Sequence, residues 1–363
     1  MRVVICGGGV IGTTAAYFLS LKGVEAVVVE RVGIAAAASG KSGGFLALDW
    51  CAGTPVDALA RRSFRLHAEL AARLDGEAWG YRRMEAFAAV ASARRDLSPR
   101  RDAEAPAWLG PEIAAHGRIG TPESTAQVHP ARFTEAMLRA AEANGAKHRR
   151  GAVTGVDLAD NGTRAAAVLV DGEPLLCDAA LIAMGPWSTL ACRWFRLPAI
   201  HGLKGHSLLF QTGDALPAQA LFVEYEAEDG RITSPEVFPR PDGTTYICGQ
   251  PGETPLPADP AAVGIEAGAE AALRSVARRL APGLGAAEVL AVQACYRPIA
   301  RDGLPVLGRV PGVANAYIAT GHSVWGILNA PASGQAMAEL IVDGAATLDL
   351  SAFDPARLPP LKV

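Results

Sequence analysis

The sequence predicts an α/β fold in which nucleotide-binding β-α-β elements at both ends of the chain bracket a hairpin-rich middle. Three observations predict it. Residues Arg2–Cys6 form a short apolar run that ends in glycines and opens a β-α-β unit of about thirty residues. Between about 204 and 250, short strand signals are punctuated by Asp229-Gly230 and Asp242-Gly243, both strong hairpin turns. Strand and helix signals of the first kind return after 287 and close the chain.

The elements follow in order. Helical composition over 13–22 and an apolar run over 24–30 complete the first unit. Residues 35–44 are small and glycine-rich, and a helix is expected over 55–74. The segment 94–107, dense in Arg, Asp, Glu and Pro, is expected to be a solvated excursion. Pro130 near its start and Gly145 just past its end frame the next helix. Strands are expected over 151–158, 164–170 and 175–184, a helix over 256–280, strands over 287–295 and 316–320, and a last helix over 332–342. The expected architecture is a discontinuous Rossmann-like domain (1–80, 125–203 and 292–363) with an interleaved α+β domain (81–124 and 204–291) containing an antiparallel sheet.

Composition narrows the function classes. A chain of 363 residues, 50% hydrophobic and 20% charged, is of globular type and long enough to bury a large core without staples. Lys plus Arg number 34 against 37 Asp plus Glu, a net charge of −3, so no general attraction to nucleic acid or an anionic membrane is expected. The six cysteines are widely spaced with no C-x-x-C pair, which argues against a zinc or dithiol site and suits a reducing compartment. The first strand begins at once and no long uncharged apolar stretch follows, so neither a targeting peptide nor a membrane span is expected. A cytoplasmic location is the default.

Gly7-Gly8-Gly9-Val10-Ile11-Gly12 is a G-x-G-x-x-G between strand and helix. Gly7 suits a tight turn, Gly9 close approach of a pyrophosphate, and Gly12 tight helix–strand packing, while the helix N-terminus attracts the phosphates. Glu30, at the end of the second strand, is placed to accept from ribose hydroxyls and to repel a 2′-phosphate. The stretch Ala36-Ala37-Ala38-Ser39-Gly40-Lys41-Ser42-Gly43-Gly44 follows where an NAD domain would run through another crossover. Its small residues and exposed amides suit a pyrophosphate, ribityl chain and ring. Lys41 is either a phosphate contact or a solvated loop lysine.

The sequence resembles the D-amino acid oxidase superfamily of FAD-dependent oxidoreductases, in the branch of glycine oxidase and sarcosine oxidase. The resemblance is carried by GGGVIG (7–12), AAAASGKSGG (35–44), AMGPWS (183–188), Tyr296-Arg297-Pro298 leading into DGLPVLG (302–308), and TGHSVWGI (320–327). These segments run from one end of the chain to the other. The resemblance implies FAD as cofactor, with Val10 and Ile11 at the turn, Glu30 and Arg31 at the adenosine ribose, and Ala38, Ser39, Ser42, Gly43 and Gly44 along the diphosphate and flavin. It implies backbone contact from Val153 to adenine, and puts Gly185 and Trp187 where the chain returns past the cofactor. His322, Ser323, Val324, Trp325, Gly326, Ile327 and Leu328 match the segment under the pyrimidine edge of the flavin.

The resemblance also implies a substrate site. Arg297 matches the arginine that holds a substrate carboxylate in glycine oxidase; the plainer reading is a structural Arg paired with Asp302 or a carbonyl. Glycine oxidase has a second Arg where this chain has Val324, with Trp325 beside it and His322 in the same segment. Glu236, on one strand face with Phe238, is a candidate partner for a substrate ammonium. Lys204 and His206 lie near the domain crossover. In sarcosine-oxidase-like sequences a Cys at the place matching Cys295 carries FAD covalently; the alternative is a small buried residue beside the flavin.

The expected activity is oxidation of the C–N bond of an amino acid or related amine by hydride transfer to flavin, giving an imine, with oxygen or an electron carrier as acceptor. The rival from another class is an FAD-binding protein with an assembly or trafficking role. An NAD dehydrogenase is disfavoured by 36–44 and by the C-terminal segments.

Overall fold

The apolar run that opens the chain becomes β1 (Arg2–Cys6), whose Val3, Val4, Ile5 and Cys6 are wholly buried, as a strand covered on both faces requires. The computed structural model describes residues 1–97 and 105–362. Beside β1 lie β2 (Glu25–Glu30) and β12 (Ala179–Ile182), then β8 (Lys147–Arg150) and β20 (Ala316–Thr320) outside them, all parallel. An antiparallel edge strand, β19 (Val306–Arg309), completes the order β19-β20-β12-β1-β2-β8. Segments from both ends of the chain thus share one sheet.

On it pack α1 (Val10–Leu21), α3 (Pro130–Ala143) and α6 (Gly326–Val342), with α2 (Asp57–Arg73) against α6. Small residues set the α1–α6 approach. A Cβ on Gly334 would sit 2.7 Å from the Thr14 backbone, and the Thr14 hydroxyl donates to the Ala330 carbonyl at 3.0 Å.

The hairpin-rich middle forms a second large sheet in the order β18-β13-β17-β16-β14-β5-β6, with β15 paired to β14. Its strands are β5 (Glu85–Ser92), β6 (Ala114–Gly120), β13 (Ile200–Gln211), β14 (Gln219–Glu226), β15 (Ile232–Thr233), β16 (Glu236–Pro239), β17 (Thr244–Pro251) and β18 (Glu288–Ala300). All pairs are antiparallel except β5 with β14. The Asp229-Gly230 and Asp242-Gly243 turns join β14 to β15 and β16 to β17. Helix α4 (Ala269–Leu280), followed by the short α5 (Pro282–Ala286), covers one face through Leu273, Val276 and Leu280. Two three-stranded sheets complete the fold: β9 (Val153–Ala159), β10 (Arg164–Val170) and β11 (Glu173–Leu176); and β3 (Phe45–Ala47), β4 (Arg82–Arg83) and β7 (Thr125–Gln127).

Three expectations need correction. The run over 175–184 is two strands in different sheets, β11 and β12. The chain turns at Cys177-Asp178, where the Asp178 carboxylate accepts from the Arg2 amide at 2.6 Å. The helix expected over 256–280 shrinks to Ala269–Leu280, because Pro257 and Pro260 lack donors and Gly268 has φ +81°. The last helix begins earlier, at Gly326, and runs through Pro331.

That proline is accommodated by two side chains of α2. Pro331 has no N–H for the Ile327 carbonyl, and His67 Nε2 lies 3.0 Å from that oxygen. A carbonyl only accepts, so Nε2 carries the proton there. Burial lowers the His67 pKa to about 4, which keeps the ring neutral. Ser63 Oγ takes the next amide, that of Ala332, at 3.0 Å. Of the excursion expected over 94–107, residues 98–104 lie outside the described residues; Arg94, Arg95 and Asp96 are exposed.

Candidate cofactor and substrate site

A cavity of about 540 Å³ opens where the C-terminal ends of β1, β2, β12 and β20 face the second sheet. The crevice beyond the carboxyl ends of parallel strands is where α/β folds bind ligands. At one end, the turn after β1 is forced by its glycines. Gly7 has φ +115°, and a Cβ on it would come within 2.4 Å of the Ala183 carbonyl. A Cβ on Gly12 would lie 2.1 Å from the Gly7 carbonyl, so Gly12 packs helix on strand and is not in the cavity wall.

Gly9, Val10 and Ile11 do line the cavity, at the N-terminus of α1, where first-turn amides have no acceptor within the helix. One of them, that of Val10, donates to Ser39 Oγ at 2.9 Å, so an oxygen already sits at the anion position. The Ser42 hydroxyl, also in the wall, is buried without a partner. A glycine cradle, a positive helix end and an unpartnered hydroxyl fit a diphosphate.

Glu30 Oε2 accepts from the Gly8 amide at 2.8 Å and Oε1 from the Val32 amide at 2.9 Å. The carboxylate is thus held by two backbone donors at the cavity edge, with acceptor capacity left for hydroxyls. Arg31, Val153, Gly185 and Trp187 line the same end. A strap over 252–266 lies against them: Trp187 Nε1 donates to the Pro257 carbonyl at 2.8 Å, and Arg31 Nε lies 3.7 Å from Asp259. Farther along, Tyr296 donates to the Thr254 carbonyl at 2.8 Å, and buried Lys204 pairs with Glu266 at 3.1 Å. His206 Nε2 accepts from the Glu266 amide, which makes His206 part of the same anchorage.

The other end is built by strands distant in sequence. Arg297 and Cys295 share one face of β18, and Glu236 comes from β16. Asp302, the plainer partner for Arg297, is taken by Arg357 at 2.7 Å. Among the described residues the Arg297 guanidinium has no ion pair or hydrogen bond, its backbone being paired in the β13–β18 ladder. Burial raises the Glu236 pKa against the opposing charge of Arg297, and its carboxylate accepts from the Cys248 thiol at 3.6 Å. Cys295 is partly buried in the wall; burial raises its pKa, opposed by Arg297 and Lys41.

Five residues expected at the cofactor lie off the cavity wall: Gly12, Lys41, Gly44, Trp325 and Leu328. Lys41 Nζ donates to the Ala294 carbonyl at 3.3 Å. Gly44 turns the chain at φ +82° against the Val128 carbonyl, and Leu328 is core. Trp325 packs edge-on against Trp50, 6.3 Å between centroids, beside a cluster of Phe45, Phe222 and Phe238. His322, Ser323, Val324, Gly326 and Ile327 do line the cavity. His322 Nε2 meets Ser333 Oγ at 2.9 Å, its Nδ1 has no partner, and burial lowers its pKa to about 3.

Sequence reasoning missed how the second sheet clamps the loop 41–43. Tyr246 donates to the Lys41 carbonyl at 3.1 Å, Arg240 to the Ser42 carbonyl at 2.9 Å, and a Cβ on Gly43 would meet the Phe238 ring at 2.3 Å. The only signal was the Phe-Pro-Arg run next to Glu236, which is uninformative without the strand register.

Residues 2–340 match the family described as FAD dependent oxidoreductase. The chain is 31% identical to Schizosaccharomyces pombe C1F5.03c, whose oxidoreductase name is provisional, over 98% of this chain and 97% of that one. It is 27% identical to the glycine oxidase of Pseudomonas putida, over 98% of each. The solved glycine oxidase of Geobacillus kaustophilus shares the fold at a TM-score of 0.82 and 23% identity, covering 98% of this chain and 99% of that one. The glycine cradle and two-sheet cavity are therefore those of a family: the chain belongs to the FAD-dependent oxidoreductases of the D-amino acid oxidase superfamily.

Proposed function

We propose that this FAD-dependent oxidoreductase oxidises the C–N bond of an α-amino acid or closely related amino carboxylate. The observation that carries the reading is that Arg297 and Glu236 face one cavity without an ion pair to each other or to another described residue. Two such groups beside a cofactor cradle suit a zwitterion: the Arg297 fork takes the carboxylate and Glu236 the ammonium. A scaffold that merely holds FAD has no use for them. Glu236, its pKa raised by burial, is also suited to accept the ammonium proton, because the carbon releases hydride, breaking its C–H bond, only when the neutral amine can supply its lone pair. FAD, when bound, supplies a two-electron acceptor for the hydride leaving carbon. The imine left behind is hydrolysed by water to a carbonyl compound and ammonia or amine. Oxygen, reduced to hydrogen peroxide, or an electron carrier takes the two electrons onward.

The residues on the cofactor side would be those of the cradle: Gly7, Gly9, Val10 and Ile11 with Ser39 and Ser42 at the diphosphate, Glu30, Arg31 and Val153 toward the adenosine, and His322, Ser323, Gly326 and Ile327 at the ring. The corresponding division assigns 1–80, 125–203 and 292–363 to the cofactor and 81–124 and 204–291 to the substrate, with β13 and β18 straddling the boundaries. Six free cysteines suit a cytoplasmic setting. Among the described residues no helix is long and apolar enough to cross a membrane. The test is anaerobic addition of an amino-acid and amine panel to the yellow purified protein. Bleaching by an amino carboxylate is expected; a spectrum unmoved by every compound would contradict the reading.

A further inference from the structure

Resting on that reading, we infer that the substrate is an α-amino acid with a bulky apolar side chain, of leucine or phenylalanine type, rather than glycine or an acidic amino acid. Three large apolar side chains are exposed and line this cavity: Leu203 at 48%, Ile232 at 60% and Val324 at 54%. Strand register ties each to the charged pair. Leu203 is the cross-strand partner of Arg297, on the same face of adjacent strands. Ile232, Thr233, Ser234 and Glu236 lie along one stretch and all line the cavity, whereas Pro235 and Val237 are buried away from it. Val324 follows His322, which bridges to Ile299 two residues beyond Arg297.

The charged pair is thus flanked by apolar surface from three separate segments. A glycine-sized substrate would leave that surface wet, and an acidic side chain would have to give up its hydration against it. An apolar side chain removes the surface from water, and each added methylene in such a pocket discriminates by about tenfold or more. Val324 and Ile232 are the residues on which the preference turns.

The test uses the oxidised holoprotein and reads the flavin absorption band, without turnover. It is titrated with acetate, 4-methylpentanoate and glutarate, which share the carboxylate and differ in the chain attached to it. The same carboxylates are then tested on Val324→Asp and Ile232→Asp, and the wild type is bleached anaerobically with glycine, leucine, phenylalanine and glutamate. Tighter binding of 4-methylpentanoate than of acetate by about tenfold or more, lost in the two variants while flavin content is kept, is expected, with leucine or phenylalanine bleaching fastest. Equal or better binding of acetate or glutarate, or preferential bleaching by glycine or glutamate, overturns the inference but leaves amino-acid oxidation standing. Should the variants lose flavin, the wild-type ranking alone decides it. Bleaching by none of these, nor by any other amino acid or amine, overturns both readings.

Discussion

The two ends of the cavity are made in different ways. The diphosphate end comes from one stretch, residues 7–42, and works through backbone: glycines that admit a close approach, amides at a helix start, a serine hydroxyl. The charged end is assembled from Leu203, Glu236, Arg297 and Val324, on four separated segments, and works through side chains whose direction is set by strand register. The first end has little freedom to vary. The second can change its ligand by single substitutions while the cradle stays intact, and variants at each end separate the two.

The largest effect is expected from Gly9→Val. Its Cβ would sit 3.1 Å from Ser39 Oγ, and its branches would enter the cavity at the α1 N-terminus. Flavin should be absent from the purified protein, as read by the ratio of visible to ultraviolet absorbance, while circular dichroism shows the fold retained. Next comes Arg297→Ala, which should weaken carboxylate binding by about 2–5 kcal/mol, with Arg297→Lys in between because it loses the fork. Flavin content should be unchanged in both; its loss would merge the two ends.

These contrasts also measure what the sequence revealed. The cradle was legible because its signals are local: a G-x-G-x-x-G between strand and helix, and Glu30 at the end of the next strand. Arg297 was legible only through its resemblance, and geometry was needed to see that Asp302 is occupied by Arg357. The fates of Lys41 and Trp325, and the clamp by Phe238, Arg240 and Tyr246, depend on contacts between segments far apart in the chain. The start of α6 was hidden for the same reason. Pro331 reads as a helix breaker until His67, on another helix, supplies the missing donor.

That stitch gives a smaller, cofactor-independent prediction. His67→Ala leaves the Ile327 carbonyl buried without its donor and should cost about 1–3 kcal/mol in chemical denaturation. The pH dependence has a definite sign. In the fold His67 and His322 titrate at about 4 and about 3, below the unfolded value of 6.5. Between roughly pH 6.5 and 4 the unfolded chain therefore binds protons that the fold refuses, and stability falls on acidification. Each histidine contributes on the order of 1 kcal/mol per pH unit in that window. A melting temperature that does not move from pH 7 to 4.5 would contradict this.

Two variants should do little. Asp259→Ala removes a partly exposed ion pair from the strap and should cost at most about 1 kcal/mol, seen as modestly faster flavin release. Cys295→Ser should leave flavin content unchanged, because burial works against the thiolate that covalent attachment requires. Acid precipitation of the wild type should accordingly leave the yellow colour in the supernatant, and flavin retained in the pellet would show a covalent link instead.

The separation of the two ends is tested most directly by anaerobic flavin reduction in the double variant Glu236→Gln/Arg297→Ala, measured by stopped flow with the amino acid that bleaches the wild type fastest. The account predicts wild-type flavin content and a reduction efficiency lower by about a hundredfold or more, the loss of two charge-assisted contacts. Reduction at the wild-type rate and substrate concentration, with both charges gone, would contradict it.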